Sequence, residues 1–142
     1  MNKEYQDIDQ QVCFPVYLLA KEIINLYRPL LDSIDLTYPQ YLVMLVLWKN
    51  KEQTVNQLGE KLRLDSGTLT PLLKRLEQKD YLRRVRSTLD ERVVNISLTP
   101  TGEAIKENAN CIPQQLIESM QVSVEDLTNL KEIITKILKI KK

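Results

Sequence analysis

Two short helical stretches joined by a tight turn, an arginine-loaded segment of alternating character behind them, and long amphipathic helices on either side define the fold class. They predict a mainly α chain with a small β-hairpin wing: a winged helix-turn-helix with N- and C-terminal dimerisation helices. The helix-turn-helix and hairpin lie between Val55 and Gly102, in VNQLGEKLRLDSGTLTPLLKRLEQKDYLRRVRSTLDERVVNISLTPTG.

The first long helix is expected from about Asp9 to Ser33. Its apolar residues form two adjacent stripes, Val12, Val16, Leu19, Ile23, Leu26, Leu30 and Cys13, Tyr17, Ala20, Ile24, Tyr27, Leu31, both stepping in fours and threes. So broad an apolar face exceeds what one side of a small core needs and suggests burial against a partner chain as well. Pro15 fits the first turn, whereas Pro29 is expected to kink or end the helix. Thr37-Tyr38-Pro39-Gln40 matches a capping box, and the apolar run YLVMLVLW carries the next helix to about Trp48.

Thr54-Val55-Asn56-Gln57 repeats the capping pattern and opens a short helix with Val55, Leu58 and Leu62 on one face. Leu64 and Asp65 turn the chain, and Asp65 or Ser66 caps a helix from Gly67 to about Lys79 with Leu69, Leu72, Leu73 and Leu76 inward. Between Tyr81 and Leu98 the period changes to two, with Ser87 to Arg92 as the hairpin tip. Thr99-Pro100 starts a helix expected to run to about Met120 with a bend at Pro113. Ser123 opens a last helix with Leu127, Leu130, Ile134, Ile137 and Leu138 in one stripe, and the tail KIKK is expected to fray.

Composition narrows the function. With three glycines, no histidine and two cysteines in 142 residues, the chain lacks a Gly-rich phosphate cradle, a histidine-based triad and a His/Cys metal cluster, so an enzyme, a cofactor and a bound metal are not expected. Its apolar runs are too short for a membrane span, and the acidic start MNKEYQDIDQ lacks the basic region of a signal peptide. The expected location is the cytoplasm, where Cys13 and Cys111 would rest as thiols.

A net charge of +1 conceals an asymmetry. From Lys61 to Arg92 nine basic residues face five acids, a local +4 against −3 for the remainder, which is the footprint of a surface that meets phosphates. On the second helix of the pair Ser66, Thr68 and Thr70 are short hydroxyls able to approach bases or phosphates, with Lys74 and Arg75 one turn later. Taken alone that face reads equally well as an ordinary solvated surface. The hairpin shifts the balance: Arg84, Arg86 and Arg92 bracket a tip suited to a minor groove, and Asp90 can hold the Arg92 guanidinium by a bidentate salt bridge. Double-stranded DNA is the expected partner.

The run LDSGTLTPLLKRLE, the acidic-basic DER of Asp90 to Arg92 and SLTPTG from Ser97 to Gly102 resemble the MarR family of transcriptional regulators. VCFPVYLLAKEI together with LTYPQYLVMLVLW resembles, more narrowly, its thiol-based organic-hydroperoxide sensors, the OhrR, MgrA and SarZ branch. The resemblance implies a homodimer on a pseudopalindromic operator, segmented into a sensor and dimerisation helix (1–36), a winged helix-turn-helix (37–99) and C-terminal dimerisation helices (100–142) within one compact domain.

It also implies that Cys13 is the oxidant sensor, hydrogen-bonded by Tyr17, Tyr27 and Tyr38, and that Cys111 either resolves an oxidised Cys13 through an intersubunit disulfide or is inert. Without the resemblance, Cys13 reads more readily as a small buried hydrophobe. Tyr27 stands fourteen residues from Cys13, roughly 21 Å along a straight helix, so it reaches only the Cys13 of a second subunit. Oxidation by an organic hydroperoxide would give a sulfenic acid and lower operator affinity. Three alternatives stand beside this reading: release by a small aromatic ligand, a thiol peroxidase at Cys13, and a winged helix used only for protein contacts.

Overall fold

The structure, a computed structural model, describes residues 6–140, so the expected fraying of the KIKK tail falls in part on Lys141 and Lys142, outside that range. The chain divides into two compact units, Met1–Asn110 and Cys111–Lys142. In the first, a 3-10 turn at Ile8–Gln10 is capped by Asp7, whose carboxylate accepts the Asp9 N–H at 3.2 Å. This separate turn delays helix α1, Cys13–Asp32, beyond the expected start at Asp9. Pro29 does not end α1. It forfeits one backbone bond, but the inward packing of Leu31, 1% exposed, carries the helix through to Asp32.

The N-terminal half of α1 is open. Val12, Phe14, Val16, Tyr17, Leu18, Leu19 and Ile24 are all exposed, so most of its broad apolar face is left uncovered. Helix α2, Tyr38–Asn50, follows a complete capping box: Thr37 N–H donates to Gln40 Oε1 at 3.1 Å, and Gln40 N–H donates to Thr37 Oγ1 at 3.4 Å. It supplies the centre of the core with Tyr41, Val43, Met44, Leu47 and Trp48, as expected of a helix apolar all round.

Strand β1, Glu52–Thr54, leads into α3, Val55–Leu62, whose Thr54–Gln57 capping box is also complete. Arg63, at φ 53°, turns the chain in the left-handed region. The turn is tight enough that a Cβ on Gly59 would stand 2.8 Å from the Leu64 carbonyl oxygen. Helix α4, Ser66–Gln78, starts where the Asp65 carboxylate accepts the Thr68 N–H at 2.7 Å, and it buries Leu69, Leu73 and Leu76, leaving Leu72 half-buried.

Strands β2, Leu82–Arg86, and β3, Val94–Leu98, form the expected hairpin, in register from Leu82 opposite Leu98 to Arg86 opposite Val94. The sheet has a further strand: β1 pairs antiparallel with β3, giving the order β1-β3-β2. Three residues are too few for an alternating pattern to reveal such a strand.

The helix expected from Pro100 to Met120 is instead three pieces. Helix α5, Pro100–Ala104, and α6, Lys106–Ala109, close the first unit, and α7, Ile112–Met120, opens the second. Pro113 therefore sits in the first turn of α7 rather than bending a continuous helix, because it cannot donate a hydrogen bond to the turn before it. In the second unit Gln121, at φ 53°, ends α7, and α8 spans Val124–Ile140 behind a Ser123 cap. Val124, Leu130, Ile133, Ile134, Ile137 and Leu138 of α8 are exposed.

A knot of backbone contacts holds the wing onto the core. Trp48 Nε1–H donates to the Gly102 carbonyl at 2.9 Å, and the Thr99 hydroxyl donates to the Asp80 carbonyl. Tyr81 Oη donates to the Ile34 carbonyl at 3.1 Å, and Lys79 Nζ reaches the Asp35 carbonyl at 2.6 Å. Gly102 lies so close to Tyr81 that a Cβ there would stand 1.9 Å from the Tyr81 carbonyl oxygen. Gly102→Ala is expected to lower the unfolding free energy by about 2–3 kcal/mol, read from urea denaturation against the unsubstituted protein at equal concentration.

Candidate functional site

The first unit has an open groove of about 410 Å³ between α3, α4 and the wing. Ser66, Thr70 and Lys74 line it from α4, and Arg84, Arg86 and Arg92 line it from the hairpin. Residues brought together from two separate stretches of sequence thus form one basic, hydroxyl-bearing surface. Thr68 and Arg75 are exposed on α4 but do not line the groove, and Asp65 is engaged in capping that helix. Asn56, in the first turn of α3, joins the lining. Its only signal in the sequence was its place in the capping segment Thr54–Gln57.

The wing arginines are held in position. Arg92 donates from Nε and from its terminal nitrogen to both oxygens of Asp90, at 3.1 and 3.3 Å, while its side chain stays 91% exposed. This is the expected bidentate clamp, and it holds the Asp90 carboxyl below its usual range, chiefly through the side-chain hydrogen bond and then through the Arg92 backbone N–H. Arg86 donates to the Glu91 carbonyl at 3.1 Å. Two hydrogen bonds to Ser87 Oγ, from the N–H groups of Leu89 and Asp90, tighten the tip.

Arg84 is differently placed. Its Nε donates to Glu77 Oε2 at 2.9 Å, and its backbone N–H donates to Glu77 Oε1 at 3.1 Å. Its charge is therefore partly neutralised from α4, a pairing across seven residues that no local pattern announces. The backbone bond first, and the side-chain bond second, lower the Glu77 carboxyl from its ordinary value of 4.5.

Cys13 and Cys111 are both exposed thiols. Cys13 is the first residue of α1, and Cys111 is the residue before α7 in the second unit. The chain does not gather the expected tyrosines around Cys13. Tyr17, one turn on, is 60% exposed, with the Lys21 ammonium 5.2 Å from the centre of its ring. Tyr27 and Tyr38 instead lie against one another with ring centroids 4.6 Å apart, at the far end of α1. Tyr41 joins them, 5.9 Å from Tyr27, and its own ring meets Trp48 edge-on at 6.3 Å.

Burial, reinforced by Tyr38 and then Tyr41, pushes the Tyr27 phenol up to about 12. Burial likewise raises Tyr38 and Tyr41. All three remain protonated hydrogen-bond donors near neutrality. Tyr41 was not among the expected tyrosines, although its spacing of three from Tyr38 places both on one side of α2.

A recognition helix facing an arginine wing, on a helical body with uncovered apolar faces, defines a winged-helix regulator. The SarA/Rot transcriptional regulator family model matches residues 25–109. The organic hydroperoxide resistance transcriptional regulator of Bacillus subtilis is 45% identical over 95% of this chain and 92% of its own. The regulator SarZ of Staphylococcus aureus is 39% identical over 96% of this chain and 95% of its own. Among solved structures, reduced AbfR bound to DNA superposes with a TM-score of 0.80 at 34% identity, covering 98% of this chain and 97% of that one. AbfR, from Staphylococcus epidermidis, is also known overoxidised on DNA and in a disulfide form. The chain belongs to the SarA/Rot family of MarR-type transcriptional regulators.

The Glu77–Arg84 contact carries a pH signature. A carboxyl whose folded value is depressed stabilises the fold fully above 4.5, and that contribution is lost as the pH falls through the lower, folded value. Urea midpoints measured down that acid range are expected to drop more steeply for the unsubstituted protein than for Glu77→Gln.

Proposed function

We propose that this chain acts as a homodimer that binds a pseudopalindromic DNA operator and releases it when a hydroperoxide oxidises Cys13. The observation that carries the DNA-binding half is the groove uniting Ser66, Thr70 and Lys74 with Arg84, Arg86 and Arg92. In this reading α4 enters the major groove with its hydroxyls and Lys74 against bases and phosphates. The Asp90-clamped Arg92, projecting into solvent, enters the flanking minor groove, where a narrow A·T-rich segment concentrates negative potential. Two copies, each with one such surface, match a two-fold operator. The uncovered apolar faces of α1 and of α8 are the surfaces on which a second copy docks.

The sensing half rests on Cys13 and on tyrosines that remain protonated. Attack of the Cys13 thiolate on a hydroperoxide ROOH breaks the O–O bond, leaving a sulfenic acid on sulfur and releasing the alcohol ROH once the leaving oxygen takes up a proton. Condensation of the sulfenic acid with a second thiol, Cys111 or a low-molecular-weight thiol, expels water and forms a disulfide. In the reduced dimer Tyr27 and Tyr38 of one chain donate to Cys13 of the other. Oxidation removes that acceptor, shifts one chain against the other and changes the spacing of the two reading heads. The B. subtilis relative is named for organic hydroperoxide resistance, which supports the choice of oxidant. As a sensor, Cys13 is oxidised once per reduction cycle; sustained hydroperoxide consumption in the presence of a reductant would mark a peroxidase instead.

An operator-binding titration with and without hydroperoxide tests the whole reading. The reduced protein and Cys13→Ser are expected to bind alike, and only the former should let go on oxidation. Release of Cys13→Ser by hydroperoxide would overturn the sensor assignment. Arg92→Ala is expected to weaken operator binding by about 1–3 kcal/mol, and Arg84→Ala by less, because Glu77 already engages that guanidinium. Lys74→Ala is expected to weaken binding across sequences and to reduce the salt-dependence slope by about 1.

A further inference from the structure

The cluster of Tyr27, Tyr38, Tyr41 and Trp48 has chemistry of its own, apart from donating hydrogen bonds. We infer that Tyr27 and Tyr38 form a one-electron oxidation site whose product is an intrachain dityrosine joining α1 to α2. The two rings lie 4.6 Å apart, tilted by 35°, within the distance range of interacting aromatic pairs. Tyr27 and Tyr41 are farther apart and more inclined, at 5.9 Å and 47°, and Tyr41 meets Trp48 at 67°. Of these pairs the first brings two phenols closest and at the smallest tilt, so that ring carbons of two phenoxyl radicals formed there need the least movement to bond.

The chemistry balances with two equivalents of a one-electron oxidant. Each phenol gives one electron to the oxidant and its hydroxyl proton to water, both residues being only half-buried. The radicals couple at the carbons beside the oxygens. The hydrogens on the joined carbons then pass through water to those oxygens and restore two phenols. Each tyrosine has lost one hydrogen, and a carbon–carbon bond links the rings. Tyr41 and Trp48 are buried and adjacent, so an electron vacancy formed on either has a short route to Tyr27. A thiol reductant reverses a sulfenic acid or disulfide but not this bond, so two-electron and one-electron oxidants leave different marks on one protein. The inference rests on geometry within one chain and holds whether or not Cys13 is a sensor.

The experiment exposes the reduced full-length protein to photogenerated tris(bipyridine)ruthenium(III), then reads dityrosine fluorescence and sequences linked peptides by mass spectrometry. Mixed isotopically light and heavy chains distinguish links within a chain from links between chains. The expected product joins Tyr27 to Tyr38 in a single chain and persists in Cys13→Ser. Tyr27→Phe and Tyr38→Phe each keep the ring and reduce the product to background, whereas Tyr41→Phe retains it. Linkage mainly between chains or through other tyrosines, or an undiminished yield in Tyr27→Phe, would overturn the assignment.

Discussion

Fourteen residues of α1 separate Cys13 from Tyr27, and an α-helix cannot be shortened: at its fixed rise the two stand roughly 21 Å apart. Pro15 lies in the first turn and Pro29 beyond Tyr27, so neither folds the intervening helix back on itself. Much else follows from this rod. Its N-terminal half extends away from the core, with Val16, Tyr17, Leu18 and Leu19 exposed, while its C-terminal end anchors Leu31 in the core and sets Tyr27 against Tyr38 and Tyr41. A single chain therefore displays a thiol at one end of a helix and half-buried phenol donors at the other. Under the proposed function a second copy brings the two together, which makes sensing a property of the dimer and ties it to the spacing of the DNA-reading surfaces.

The basic groove has its own balance of charge. Of the wing arginines, Arg92 is clamped by Asp90, Arg86 by the Glu91 carbonyl and Arg84 by Glu77. Such pairing lowers the net field of the wing but fixes where each guanidinium points, trading long-range attraction for a preformed geometry. The hairpin that carries them is held at its base by Gly102 pressed onto the Tyr81 carbonyl and by the bond from Trp48 Nε1 to the Gly102 carbonyl. Trp48 also touches Tyr41, so α2 contacts both the tyrosine cluster and the base of the wing.

Elements with strong local chemistry were legible from the residues alone. Both capping boxes, the Asp65 cap, the hairpin with its tip and the Asp90–Arg92 clamp follow from side chains close to one another in the chain. What escaped was non-local or too short. β1 has three residues and exists by pairing with β3, more than forty positions away. The partnership of Glu77 with Arg84 depends on the angle between α4 and β2, and the place of Asn56 in the groove on the packing of α3 against α4. The breaks in the helix expected after Pro100 escaped because a continuous apolar pattern does not reveal where backbone bonds are lost. The exposure of Cys13 was likewise hidden, since a helix apolar on two faces looks the same whether its second face meets its own chain or another.

The central claim is that each sensing site is shared between two chains, and mixed dimers test it most directly. A dimer of one Cys13→Ser chain with one Tyr27→Phe chain retains one complete site if Cys13 of one chain meets Tyr27 of the other, and none if both belong to the same chain. A dimer of one doubly substituted chain with one unsubstituted chain has the opposite property. The rate at which a hydroperoxide oxidises the remaining Cys13 is the quantity to measure in each. The shared-site account predicts the native rate in the first dimer and an altered rate in the second; the native rate in the second and an altered rate in the first would contradict it.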